Sequence, residues 1–264
     1  MKSQPAFKIV KGRDLEFSIK ESLRVLKIRH GAACVKLSTE DAGMSLEQIG
    51  FWAKMCEGVL PVMVKIGGPN ARNDIKQMVE MGVDGLIAPM VESPYGLENF
   101  IEGVRDFTTL MQFNRLKKSI NIETETAVKQ LDKILASPDC RFIDEITIGC
   151  SDLSRSLKKN RHDKTVFNCV KKTVEKIKTR GIGVSVGGGV TPDSIDEFLK
   201  KVQPDKFNTR VVTFDVNLER DYRAIVEEAL HFELLMLEHD STVRFITRDE
   251  EKFRAAELKK RLPN

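Results

Sequence analysis

The sequence is poor in the residues that build stapled or metal-knit scaffolds. Its five cysteines (Cys34, Cys56, Cys140, Cys150 and Cys169) are odd in number, widely spaced and without a CxxC pair. That pattern argues against a disulfide framework or a structural zinc site and suits a reducing cytoplasm. The four histidines, His30, His162, His231 and His239, form neither an HxxxH nor an HxH pair, so a histidine metal site has little support. No run of about 18 apolar residues occurs, so no membrane span and no membrane partner is expected. The leading stretch MKSQPAFKIVKGRDLEF lacks the apolar core of a signal peptide. Charge of one sign is also missing. Lys and Arg number 43 against 39 Asp and Glu, and the net +4 is spread along the chain. A nucleic-acid partner, which needs a gathered basic stripe, is not expected. The 17 glycines and 9 prolines have no period, which removes a collagen-like chain.

What is present is an ordinary globular composition, 41% hydrophobic and 31% charged over 264 residues. Short apolar or β-branched runs alternate with segments of helical period. The runs are Phe7–Val10, Ala33–Ser38, Pro61–Ile66, Asp84–Met90, Ser119–Glu123, Asp144–Gly149, Gly183–Gly188 and Phe207–Phe214. Bounded by turn residues, they read as strands buried on both faces, as parallel sheets require. Between them, Ser45 with Gln48 reads as a capping box. Val166, Val170, Val174 and Ile177 form one apolar face closed by Gly181. Thr191 reads as the cap of a helix with Pro192 at its first position. Eight strands separated by helices predict an α/β fold, a (β/α)8 TIM barrel. An open doubly wound sheet is the competitor, but no GxGxxG follows the first strand. No composition shift marks a linker, so residues 1–264 are expected to form a single domain. Its barrel spans about 1–240, and a charged C-terminal helical extension covers about 241–264.

In such a barrel the active site lies at the carboxyl ends of the strands. The residues there are Glu40 and Asp41, Lys65, Glu92, Glu123, Asp152, the glycines 187–189 and Arg210. The interior is otherwise expected to be packed and dry. Glu123 and Asp152 come from neighbouring strand ends. Two converging carboxylates suit a hard divalent cation, although an acid at such a place also serves as a helix cap or a surface ion-pair partner. Lys65 suits a substrate carboxylate or an enolate oxygen, a Schiff base with a carbonyl, or a rim lysine with its head in water. The glycine triplet suits either an anion nest or a tight turn. Arg210 suits a substrate carboxylate or phosphate, or an ion pair with a barrel acid.

Three segments carry a family resemblance. They are VKIGGPNARNDIKQMVEMGVDGLIAPMVES (64–93), INIETETAVKQLDKIL (120–135) and DEITIGCSDLSRSL (144–157). With an Ile-Glu-Thr strand end followed by Gly-x-x-Asp-Leu-Ser, they resemble the HpcH/HpaI aldolase and citrate lyase β-subunit superfamily of TIM barrels. GVSVGGGVTPDS and FNTRVVTFD are similar to a less studied branch of it. The resemblance covers roughly residues 30–215. It implies a divalent-metal-dependent carbon–carbon lyase, aldolase-type, acting on a small 2-keto acid through a metal-stabilised enolate. Glu123 and Asp152 match the family's metal carboxylates, with Mg2+ or Mn2+ as cofactor. Lys65, Glu40 and Arg210 are then the expected catalytic residues, with Glu40 as base. Lys65, Gly149, Cys150, Ser151 and Arg210 are expected to bind substrate. The resemblance also implies a homo-oligomer in which C-terminal helices are exchanged between subunits.

The departures are specific. Lys65 stands where the family usually has arginine, keeping the charge but losing the planar two-pronged contact. The aldolases' histidine base is replaced by STEDAGMS, which resembles the Leu-Glu-Asp-Ala stretch of the citrate lyase branch. Cys150 stands where arginine or proline is frequent. Two further readings therefore stay open: a Schiff-base aldolase using Lys65, and a non-catalytic barrel that binds a metabolite.

Overall fold

A computed structural model describes residues 12–217 and 220–263. Helix α1 (Gly12–Ile28) leads into β1 (Ala32–Ser38), α2 (Leu46–Cys56), β2 (Val62–Lys65), α3 (Arg72–Met81) and β3 (Gly85–Ala88). Then come α4 (Pro94–Asp106), α5 (Leu110–Arg115), β4 (Lys117–Ile122), α6 (Glu125–Ala136) and a 3-10 turn at Pro138–Phe142. They are followed by β5 (Glu145–Gly149), α7 (Cys150–Ser156), α8 (Lys164–Lys178), β6 (Gly183–Gly187) and α9 (Ile195–Val202). The chain closes with β7 (Lys206–Asn208), β8 (Val212–Asp215), α10 (Tyr222–Thr242) and α11 (Arg248–Lys259). The strands join in sequence order into a closed eight-stranded barrel of the TIM type. Among the described residues no helix is long and apolar enough to cross a membrane.

Strand registers explain which face is apolar. From β1 to β7 neighbours pair in parallel, with Leu37 beside Val64, Ile120 beside Ile146, and Val186 beside Phe207. Side chains alternate across a strand. The outer face therefore carries Val35, Leu37, Val64, Leu86, Ile120, Ile122, Ile146, Ile148, Val184 and Val186, all buried. Each such side chain stabilises the fold by roughly 1.5–3 kcal/mol on leaving water. The inner face carries Lys36, Ser38, Lys65, Ser119, Asn121, Thr147 and Ser185 instead. The expectation of a dry, packed interior is corrected here. The strand runs are apolar on one face only, and the other face is a polar lining tied by hydrogen bonds. The Thr147 and Ser185 hydroxyls lie 2.8 Å apart, and Asn208 donates to Ser185 at 2.9 Å.

Several element boundaries also differ from expectation. The run Phe7–Val10 lies outside the described residues. The run Phe207–Phe214 is not one strand but two, β7 and β8, folded back antiparallel around Thr209–Val211. β8 pairs antiparallel with β1 too, so the barrel closes without a helix before its last strand. Thr209 makes the turn possible: its hydroxyl accepts from the Val212 amide at 3.1 Å. Ser45 caps α2 by accepting from the Gln48 amide, but the Gln48 side chain reaches Asp240 rather than returning to Ser45. Residues Thr191–Ser194 form a turn, and α9 begins only at Ile195. The charged tail is α11, which turns back on the barrel, burying Leu258 and sending Arg261 to the Val190 carbonyl at 2.7 Å.

Candidate active site at the barrel mouth

A cavity of about 460 Å³ opens at the carboxyl ends of the strands. Glu40, Asp41, Lys65, Glu123, Asp152 and Arg210 all line it, so the structure gathers these sequence-predicted residues in one place. Glu92 is not in this lining; it accepts a hydrogen bond from the Thr124 hydroxyl.

The loop after β1 sets the first group. Ser38 Oγ accepts from the amides of Glu40 and Asp41, each at 3.1 Å, which curls the chain so that both carboxylates face β2. Lys65 Nζ then lies 2.6 Å from Glu40 and 3.2 Å from Asp41. Burial opposes the Lys65 charge, but Asp41 and Glu40 outweigh it and hold the ammonium above the ordinary lysine range. Burial likewise works to raise the Asp41 carboxyl, while Lys65, Ser38 and Arg210 hold it below the usual carboxylate range. Two carboxylates within ion-pair range of Lys65 favour its charged form, which is not the form that attacks a carbonyl.

Glu123 follows β4 directly. Thr124 caps α6 by accepting from the Ala127 amide at 3.1 Å, which pins the strand end. Glu123 is buried, accepting from the Met90 amide at 2.9 Å and from Asn121 Nδ2 at 3.1 Å. Burial pushes its carboxyl above the ordinary range, and Asp152 adds to the push. The Met90 amide, Lys65 and Asn121 only partly cancel it. Asp152 sits in the first turn of α7, half-exposed, and pairs with Arg155 at 3.2 Å.

Close approach explains two glycines. A Cβ on Gly149 would stand 2.5 Å from Glu123 Oε2, and one on Gly188 would stand 2.7 Å from the Ser151 amide nitrogen. Gly188 also has φ of 90°, a region that favours glycine. The tight-turn reading of residues 187–189 therefore has a physical cause. Gly149 and Ser151 line the cavity, but Cys150 turns away from it. Its thiol is buried, donates toward the Ile148 carbonyl, and is pushed by burial up to about 11. It lines a second, smaller pocket with Arg161, apart from the cavity that Gly149 and Ser151 line.

Arg210 stands in the β7–β8 turn, its Nε 3.7 Å from Glu233 of α10. Arg254 of α11 and Arg261 beyond it line the same side of the cavity. Burial raises the Glu233 carboxyl even against these three arginines. This basic wall was not anticipated from the sequence, apart from Arg210. The only signal was an acid inside the apolar helical run ALHFELLML. Lys36 and Asn121 were also missed, although period-two alternation of ACVKLS and INIE places both on the inner face.

Among the described residues no group of three or more His, Cys, Asp or Glu side chains is placed so that together they could hold a metal ion. Two carboxylates on one cavity nevertheless fit a magnesium-like cation, which takes one or two protein carboxylates and leaves its other positions to water and substrate oxygens. The absence of nitrogen and sulfur donors disfavours zinc. A cation there would offset the burial that raises the Glu123 carboxyl and the smaller push from Asp152.

The barrel is similar to several solved structures. The HpcH/HpaI aldolase from Desulfitobacterium hafniense DCB-2 is 17% identical over 69% of this chain and 78% of that chain, with a TM-score of 0.57. An HpcH/HpaI aldolase/citrate lyase family protein from Burkholderia cenocepacia J2315 is 12% identical over 70% and 80%, with a TM-score of 0.58. The citrate synthase SbnG is 19% identical over 83% and 89%, with a TM-score of 0.59. At these identities the likeness is one of fold. No curated protein matches the chain. The family model for HpcH/HpaI aldolase/citrate lyase matches residues 39–206, well over half the chain and the span that holds Glu40, Lys65, Glu123 and Asp152; the chain belongs to the HpcH/HpaI aldolase/citrate lyase family.

Proposed function

We propose that this protein is a divalent-metal-dependent carbon–carbon lyase of the aldolase type, acting on a small 2-keto acid. The observation that carries the reading is the meeting of Glu123 and Asp152 on the cavity that also holds the Lys65–Glu40–Asp41 cluster. Glu123 and Asp152 would hold Mg2+ or Mn2+. When bound, the metal would supply Lewis-acid stabilisation of the negative charge that develops on the keto oxygen as the carbon–carbon bond breaks.

The protein's own groups have separable tasks. Met90 and Asn121 hold the Glu123 carboxylate in one orientation, so it needs no reorganisation to act as a ligand. Lys65 keeps its proton and presents positive charge beside the developing anion. Glu40, half-exposed at the mouth, would take the proton from the substrate hydroxyl during cleavage and return one to the carbon left behind. Arg210 would hold the far anionic end of the substrate. In this reading the protein acts on a free metabolite as a cytoplasmic homo-oligomer.

The test is cleavage of oxaloacetate and of a 4-hydroxy-2-keto acid by the purified protein. Chelation should abolish turnover and added Mg2+ or Mn2+ restore it. Glu123→Gln and Asp152→Asn should each lose Mn2+ binding in calorimetry. A chelated protein that keeps full activity would sink the proposal.

A further inference from the structure

Lys36 is a basic side chain in the cavity that has no direct ion-pair partner among the described residues. It lies on β1 between Val35 and Leu37, which both face outward into the core, so its own side chain faces the barrel interior. Ser38 is level with Lys65 in the β1–β2 register, and Lys36 stands one inward position deeper, level with Met63. It lines the same cavity as Glu123 and Asp152.

Every other basic side chain in that lining has a partner. Lys65 meets Glu40 and Asp41, Arg155 meets Asp152, Arg210 meets Glu233, Arg254 meets Glu250, and Arg261 meets the Val190 carbonyl. Among the described residues Lys36 Nζ makes neither a hydrogen bond nor an ion pair. Across the barrel on β4, Asn121 Oδ1 is a buried acceptor that also lacks a partner. A half-buried cation that faces a cavity without a direct partner is where an anionic ligand gains most from binding. The electrostatics agree. Burial and then the Lys65 charge make Lys36 easier to deprotonate than an ordinary lysine, and the opposing pull of Asp41 and Glu145 does not reverse this. Lys65, with its charge already met by two carboxylates, is the less available of the two lysines for a ligand anion.

We propose that Lys36 is an anion subsite at the floor of the barrel, and that it receives the carboxylate of the keto acid. The identity of that carboxylate as a keto acid's rests on the function proposed above; the subsite itself does not. A ligand seated there with its carboxylate on Lys36 and a hydroxyl donating to Asn121 Oδ1 would give a partner to both groups.

The experiment uses oxalate and pyruvate as probes on the full-length protein, with and without Mn2+, by calorimetry. Lys36→Met should melt no lower than wild type and keep Mn2+ affinity while weakening oxalate binding at least about tenfold, the scale of one lost charged hydrogen bond. Lys36→Arg, which keeps the charge, should recover part of that loss, and it serves as the second variant if Lys36→Met does not fold. Oxalate affinity unchanged in Lys36→Met would overturn the subsite, as would a wild-type protein that binds neither probe. Borohydride reduction of pyruvate onto Lys36 would overturn it as well, because the amine would then be a nucleophile rather than an anion binder. If the wild type fails to bind Mn2+ but still binds oxalate through Lys36, the metal-dependent reading falls and the subsite stands.

Discussion

At the scale of single residues, the mouth of the barrel works by charge compensation. Lys65 is held protonated by two acids, and Asp41 is held ionised by Lys65. The sign of the pH dependence follows. Asp41, with its carboxyl below the usual range, adds stability that is present above the ordinary carboxylate value and is lost as pH falls through its lowered one. Lys65, raised, adds stability that is present below the ordinary lysine value and is lost as pH climbs past its raised one. Asp41→Asn should therefore be less stable than wild type near pH 7, and the gap should narrow as pH falls below the ordinary carboxylate range. Because Asp41 is partly exposed, the gap should be no more than about 1 kcal/mol. Urea titrations at a series of pH values read it directly, and a gap that widens toward acid would contradict the assignment. The acids at 40, 41, 123 and 152 were legible in the sequence because strand ends in a barrel point at one place. Lys36 was not, because a lysine inside an apolar run looks like an interruption until the alternation of faces is known.

At the scale of elements, the clearest tie is between α2 and α10. Asp240 is buried and accepts from Gln48 Nε2 at 2.6 Å and from Trp52 Nε1 at 2.9 Å, with His239 beside it at 3.3 Å. Two buried donors on one helix are satisfied by a single acid on another. Asp240→Ala should leave both donors unpaired and cost about 3 kcal/mol in denaturant unfolding. A cost below about 0.5 kcal/mol would show that the contact does little. The sequence announced α2 through Ser45 and its apolar face, but not this tie, because Gln48 in the third helical position looked committed to the cap. The β7–β8 hairpin was missed for a related reason. FNTRVVTF is rich in aromatic and β-branched residues and holds neither Gly nor Pro, so its composition reads as one strand and does not mark the reversal at Thr209–Val211. The turn is paid for by Thr209 closing on Val212 and by β8 finding β1 as a partner.

At the scale of the whole molecule, the C-terminal segment completes the rim of the site. α11 brings Arg254 to the cavity, Arg261 follows it, and both face Glu233 together with Arg210. A chain ending at Ile246 should keep the circular dichroism of the barrel. It should melt several degrees lower, at roughly 2–4 °C per kcal/mol lost for a chain of this size. It should also bind a two-carboxylate ligand more weakly, since two of the three arginines on that wall are gone. Unchanged oxalate affinity in that truncated chain would show that the arginine wall does not touch the ligand.

The sequence by itself determined the alternation of strands and helices, from which a barrel is expected, and the family motifs at Glu123 and Asp152. These are local properties: periodicity, caps and short motifs are written in consecutive residues. Only the tertiary structure decided that the barrel interior is polar, that the last strand runs antiparallel, that Cys150 turns away from the cavity, and that Lys36 stands without a partner. Each depends on which distant groups come within hydrogen-bond reach, and that distance is set by barrel closure rather than by any stretch of the chain.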